Sequence, residues 1–193
     1  YSSRRQRQMC IRDRFNGVKI RITHPETGEV MPSGEKGLIE ISGPTVFKGY
    51  LNDPIKTKET ISSDGWLSTG DFGSLSEDGF ISYHGRLKDM LKVGGENVAA
   101  LEIESFYNNH EGVMLSQVIG VEDERLGEVP ALFVERKEGA KITANELIKS
   151  AEGKISNFKI PRYVVFVNEW PMSSTKVQKF KLKDFELGEK VFG

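Results

Sequence analysis

The run Gly85-Arg86-Leu87-Lys88-Asp89-Met90-Leu91-Lys92-Val93-Gly94-Gly95-Glu96-Asn97-Val98 decides how this chain is organised. Residues 90–93 read as a short strand, and Gly94-Gly95 breaks it, because glycine reaches backbone dihedrals closed to residues with a Cβ. Directly afterwards Ile103, Phe106 and Tyr107 recur at the i, i+3, i+4 spacing of one helix face, which predicts a helix over residues 99–107. The chain before this run has a different character, so a domain boundary is placed near Lys88.

Towards the C-terminus, residues 118–121 and 130–134 read as strands. Thr143 opens a helix, with Glu146 three residues on as in a capping box, and residues 163–167 form a last central strand. The order β, α, β, β, α, β predicts a compact α+β unit whose helices pack on a mixed three-stranded sheet. Towards the N-terminus, Val18, Ile20 and Ile22 alternate with Lys19, Arg21 and Thr23 as in a half-buried strand. Residues 37–42, 66–70 and 79–83 add strands, and Asp53-Pro54 begins a helix over residues 55–61, with proline at its first position. Residues 15–87 are therefore expected to be one small β-rich unit and residues 88–193 a second, α+β one. Residues 1–14 are basic and lack the periodicity of helix or strand. The run Arg4 to Asp13 reads as an in-frame translation of a transposase-based sequencing adapter, so this segment is expected to be a scar rather than native protein.

Composition excludes several function classes. The 193 residues are 37% hydrophobic and 28% charged, the make-up of an ordered globular protein rather than a disordered one. Lys plus Arg number 27 against 28 Asp plus Glu, a net charge of -1, so no global field recruits nucleic acid or an anionic membrane. No apolar run approaches the roughly 20 residues that span a bilayer. The single cysteine, Cys10, forms no internal disulfide, and no Cys/His cluster has metal-ligand spacing. No metal site is expected, and a cytoplasmic location fits.

The chemistry-bearing residues fall into three clusters. In Asp64-Gly65-Trp66-Leu67-Ser68-Thr69-Gly70-Asp71, an aspartate presented after a strand by a Thr-Gly turn offers two carboxylate oxygens to the paired hydroxyls of a ribose. A lone aspartate in such a place would equally well cap a turn. Gly94-Gly95 is by residue type either a simple turn or a loop that lets a ligand approach the backbone closely. Pro171-Met172-Ser173-Ser174-Thr175-Lys176-Val177-Gln178-Lys179-Phe180-Lys181 reads as a lysine-rich solvated edge strand or as a loop that presents a cation.

Taken together and in order, these clusters resemble the adenylate-forming (AMP-binding) superfamily of acyl-CoA synthetases, luciferases and peptide-synthetase adenylation domains, over nearly everything from Phe15 to Lys183. The resemblance implies that Asp71 holds the ribose hydroxyls of ATP and that Arg86 helps bind the same sugar. It implies that Lys88 is the hinge about which a C-terminal lid swings, and that Lys92, Gly94 and Gly95 line the path of the coenzyme A pantetheine in the thioester-forming state. Lys176 matches the lysine that meets the α-phosphate and acyl carboxylate during adenylation. The usual pattern has glycine directly before that lysine, where this chain has Thr175, so Lys179 stands as the alternative in register. Lys159 or Arg162, in Phe158-Lys159-Ile160-Pro161-Arg162, would meet the anionic end of coenzyme A.

The implied whole protein is an ATP-dependent acyl-CoA synthetase, with ATP, Mg2+ and coenzyme A as co-reactants and a small carboxylic acid as substrate. The alternative acceptor is a carrier-protein phosphopantetheine, or oxygen as in luciferases. The phosphate-cradling loop and the adenine and acyl pockets of such enzymes have no counterpart in these 193 residues. Residues 15–87 are thus expected to close a large AMP-binding domain, and the chain alone is expected to be inactive.

Overall fold

A computed structural model describes residues 16–192, and the expectation for residues 1–14 lies outside them. The chain forms two compact units that part between Leu87 and Lys88.

The first unit is an antiparallel meander of four strands, β1 (Lys19–Thr23), β2 (Lys36–Ser42), β3 (Leu67–Leu75) and β4 (Ile81–Arg86), in that spatial order. Ile22 and Ile39, paired across β1 and β2, are buried on one face, and Phe72, opposite Leu38, is buried on the other. Between β2 and β3 lies a short helix, α1 (Pro54–Thr60). It starts where it does because the Asp53 carboxylate accepts the Lys56 N–H at 2.8 Å, while Pro54 occupies a first-turn position that needs no N–H. A strand ending at Gly70 is corrected: β3 runs on to Leu75, and Asp71 lies within it rather than in a turn beyond it. The pairing of β2 with β3 slips here, so that Thr69, Gly70 and Asp71 oppose Ile39 alone. This is a bulge, a device that keeps a strand in its sheet while re-aiming its side chains.

The second unit has strands β5 (Met90–Val93), β6 (Glu96–Ala99), β7 (Val113–Asp123), β8 (Gly127–Arg136) and β9 (Tyr163–Phe166), with helices α2 (Ala100–Asn108) and α3 (Ala144–Ala151). Its sheet is mixed, with β8 antiparallel to β7 and parallel to β9. It has five strands rather than the three expected, because the β5–β6 hairpin joins β8 through the Val93–Gly127 pair. Residues 118–121 and 130–134 proved to be the middles of one long hairpin, whose arms carry too many polar residues at their ends to be read as strand from the sequence.

From Val129 to Val134, β8 is buried on both faces, and its two faces feed two cores. Leu132 and Val134 pack with Ile103 and Tyr107 of α2 and Leu147 and Ile148 of α3. Ala131 and Phe133 pack on the opposite side with Leu182, Trp170 and Phe185 of the C-terminal segment. α3 carries the expected capping box: the Thr143 side chain accepts the Glu146 N–H, while the Glu146 carboxylate accepts the Thr143 N–H at 2.8 Å. The Thr143 N–H and the Thr143 hydroxyl, both donating to that carboxylate, hold the Glu146 carboxyl below its ordinary range.

Candidate functional site

Each unit carries its own group of candidate residues. On the first, the Thr69 hydroxyl donates to the Ile39 carbonyl at 2.8 Å and accepts the Asp71 N–H at 3.1 Å. Gly70 takes a φ of +72°, which suits glycine alone among common residues without strain. Threonine and glycine thus build the bulge that presents Asp71. Across the sheet Asp71 pairs with Arg86, and Arg86 Nε lies 3.0 Å from Asp71 Oδ1. The pair is half-open, with side-chain exposures of 30% and 52%. One carboxylate oxygen is occupied, and among the described residues the other accepts no hydrogen bond, which leaves it available to a donor hydroxyl.

On the second unit, Gly94 and Gly95 form the whole two-residue loop of the β5–β6 hairpin, with Val93 paired to Glu96. Their φ values are +59° and +89°, the double left-handed geometry of a tight hairpin turn matched to strand twist. The turn alone therefore demands glycine. Gly94 donates its N–H to the Leu126 carbonyl at 2.8 Å, and a Cβ there would lie 3.2 Å from Leu126 Cδ2. Gly95 faces open space. Gly94→Ala is expected to destabilise the second unit by about 1–2 kcal/mol through left-handed strain, with Gly94→Asn costing less. Urea denaturation of both variants checks this, and equal stabilities would refute it.

The loop under that turn is itself braced. Asp123 Oδ1 accepts the Arg125 and Leu126 N–H groups, each at 3.1 Å, and Oδ2 meets Lys190 Nζ at 2.7 Å. The Lys190 bond and the two backbone bonds hold the Asp123 carboxyl down at about 2. Lys92 is exposed on β5, and its N–H donates to Glu128 Oε2 at 2.8 Å. Lys88 is exposed in a single 3-10 turn, Leu87–Asp89, at the point where the two units part.

The third cluster folds as a small hairpin followed by a 3-10 helix, Lys179–Asp184, and not as a lysine-rich edge strand. Ser173 donates its N–H to the Lys176 carbonyl at 2.8 Å, Met172 bridges Val177, and Gln178 donates its N–H to the Pro171 carbonyl at 2.7 Å. Ser174 and Thr175 form the loop, and neither has a positive φ, which is why Thr175 fits where glycine was expected. Lys176 is exposed and has no ion pair among the described residues. Lys179 instead pairs with Glu104 at 2.5 Å. Lys159 is likewise engaged, 2.5 Å from Glu102, and the Arg162 guanidinium lies over the Phe192 ring.

Sequence reasoning missed Glu104, which is 5% exposed on the buried stripe of α2 with Ala100, Ile103 and Tyr107. The available signal was a carboxylate at a core position of a helix, since a buried charge needs a partner. Among the described residues no cluster of three or more His, Cys, Asp or Glu could hold a metal ion, and no helix is long and apolar enough to cross a membrane.

Comparison with known proteins places these features in context. Residues 102–177 match the family described as the AMP-binding enzyme C-terminal domain. The chain is 44% identical over 168 residues to the mitochondrial medium-chain acyl-CoA ligase ACSF2 of Bos taurus, covering 86% of this chain and 27% of that relative. It is 41% identical over 168 residues to the putative acyl-CoA synthetase YngI of Bacillus subtilis, covering 86% of this chain and 31% of the relative. Among solved structures, ATP-bound MatB from Rhodopseudomonas palustris superposes with a TM-score of 0.83 at 41% identity, covering 88% of this chain and 34% of that one. The o-succinylbenzoate CoA synthetase MenE of Bacillus subtilis, in complex with its acyl-adenylate intermediate, gives 0.82 at 31% identity, covering 91% and 35%. This chain therefore spans about a third or less of the length of these relatives.

Proposed function

This chain belongs to the adenylate-forming, AMP-binding superfamily, and on that footing we propose that it is the closing part of an AMP-forming acid-thiol ligase that makes an acyl-CoA. In the first step an oxygen of the acid's carboxylate attacks the α-phosphorus of ATP, pyrophosphate leaves, and an acyl-adenylate forms. In the second the sulfur of coenzyme A attacks the acyl carbon, the thiol proton is lost, and AMP leaves. Residues 15–87 close the large nucleotide-binding domain and residues 88–193 form the lid.

Asp71 accepts the ribose hydroxyls, with the Arg86 ion pair fixing its carboxylate. The exposed Lys176 ammonium stabilises the negative charge where carboxylate and α-phosphate approach one another. Lys88 is the pivot; a solvated side chain in a short turn can absorb a large torsion change without disturbing either core. The Gly94-Gly95 turn, with Lys92 beside it, offers a backbone without side chains to the pantetheine arm. Mg2+ arrives with the ATP phosphates and neutralises part of their charge; the described residues offer no acidic cluster of their own to hold it.

The observation that carries this reading is the sorting of two lysines three residues apart: Lys179 is tied to a buried carboxylate, while Lys176 stands exposed at the end of a braced hairpin. The test is made on the longer protein expressed from the complete reading frame. Acid-dependent exchange of pyrophosphate into ATP is expected, with thioester formation on free coenzyme A exceeding that on a carrier protein. The 193-residue chain alone should show no exchange. Absence of exchange in the longer protein across a panel of carboxylic acids would refute the proposal. The fold is indifferent to compartment: ACSF2 is mitochondrial by name and YngI is bacterial, so the cytoplasmic placement rests on composition alone.

A further inference from the structure

The hairpin that carries Lys176 is pinned at both of its stems, and one pin is an ion pair with the buried carboxylate of Glu104. On one side the Trp170 ring N–H donates to Glu135 Oε2 at 2.6 Å. On the other Lys179 Nζ lies 2.5 Å from Glu104 Oε1. Between the pins the chain is cross-linked to itself by Gln178 N–H to Pro171 O and Ser173 N–H to Lys176 O. The hairpin therefore moves as a body, and the direction in which it presents Lys176 is set where its stems are held. Lys179 is three residues from Lys176, a reach of at most about 11 Å along the chain.

Glu104 is held in turn by the sheet. It lies on α2, its Oε1 also accepts the Val118 N–H at 2.8 Å, and one turn along the same helix Asn108 Oδ1 accepts the Ser116 N–H at 2.7 Å. Ser116 and Val118 belong to β7, the terminal strand of the sheet order, whose outward N–H groups are thus satisfied by α2 side chains. A carboxylate that is 5% exposed has few conformations left, so it is a rigid point from which to hold a lysine.

We propose that Glu104 is a positioning residue for adenylate formation: through its ion pair with Lys179 it fixes the hairpin that presents Lys176 to the reacting carboxylate and α-phosphate. This rests on the role proposed above for Lys176. Adenylation needs the ammonium within hydrogen-bond distance of charge that exists only in the transition state, and a displacement of about 1 Å at such a point costs on the order of 10²-fold in rate. Thioester formation does not use Lys176, so it is insensitive to the pin.

The experiment uses the longer protein and measures the two steps separately. Glu104→Gln keeps an acceptor for the Val118 N–H and removes the charge that holds Lys179. It is expected to lower kcat for adenylate formation by roughly 10²-fold, leave KM for ATP unchanged because Asp71 and Arg86 are untouched, and leave thioester formation from supplied acyl-adenylate unchanged. Lys179→Arg, which preserves the pair, should retain most of the adenylation rate. Should Glu104→Gln fail to fold, Lys179→Gln poses the same question from the more exposed partner: it removes the charge while keeping an N–H donor for the Glu104 carboxylate, with the Val118 bond left in place. Equal loss in both half-reactions, or loss only in thermal stability, would mean a purely structural pair and overturn the inference. If Lys176→Ala abolishes adenylation while Glu104→Gln adenylates at the wild-type rate, the positioning role alone fails. If Lys176→Ala leaves adenylation intact, the role of Lys176 falls and this inference with it.

Discussion

Lys176→Ala is expected to lower acyl-adenylate formation by about 10²–10³-fold, the effect of removing one preorganised electrostatic partner of a developing charge. Turnover of supplied acyl-adenylate with coenzyme A should be spared. The selectivity follows from geometry: Lys176 is exposed and unpaired among the described residues, so its removal leaves no buried partner unsatisfied and does not strain the fold. The melting temperature should therefore be unaffected, and a fall in it would point to a structural role instead. Lys179→Ala is a contrasting case, because it strands the buried Glu104 carboxylate. Breaking such a pair from one side costs about 3–5 kcal/mol, so that variant should lose stability along with adenylation. Single-turnover measurement of pyrophosphate release and of acyl-CoA formation checks the loss of adenylation in both variants, and thermal melting distinguishes the two lysines.

Phe133→Ala is expected to destabilise the second unit by about 3–5 kcal/mol, the usual cost of truncating a fully buried aromatic. Phe133 is 0% exposed, lies at the centre of β8, and meets the Phe185 ring edge-on at 5.9 Å. The cavity would open between the sheet and the C-terminal segment, beside Leu182. Out of a domain stability of about 5–15 kcal/mol this is a large share. The two tryptophans make the test specific to each unit, since Trp66 belongs to the first and Trp170 to the second. In a Trp66→Phe background, urea unfolding followed by Trp170 fluorescence should shift to lower midpoint. In a Trp170→Phe background the Trp66 transition should stay where it is. A shared shift would show that the units unfold as one.

The helix starts at Asp53-Pro54 and at Thr143 were legible because a cap is a bond between residues two or three apart. The first strand was legible because alternation is a property of the strand itself. Gly94-Gly95 was legible as a break, and the structure supplies the reason in two consecutive left-handed residues. The continuation of β3 past Gly70 was not legible, because a Thr-Gly pair ends a strand as readily as it bulges one. What decides is the Ile39 carbonyl, thirty residues away, which accepts the Thr69 hydroxyl. The five-stranded width of the second sheet depends on one cross-strand pair between Val93 and Gly127, and no local pattern announces such a contact.

The amino-acid sequence by itself determined most of the succession of elements, with the second arm of the Gly94-Gly95 hairpin the exception, and it named the division near Lys88 and the candidate residues, since each of these is written in spacings of a few residues. Only the tertiary structure decided that Arg86 lies against Asp71, and that of two lysines three apart one is anchored and the other exposed. Those outcomes depend on strand register and on a carboxylate 75 residues away in the chain, and a buried charge chooses its partner by proximity in space, with the cost of leaving it unpaired enforcing the choice.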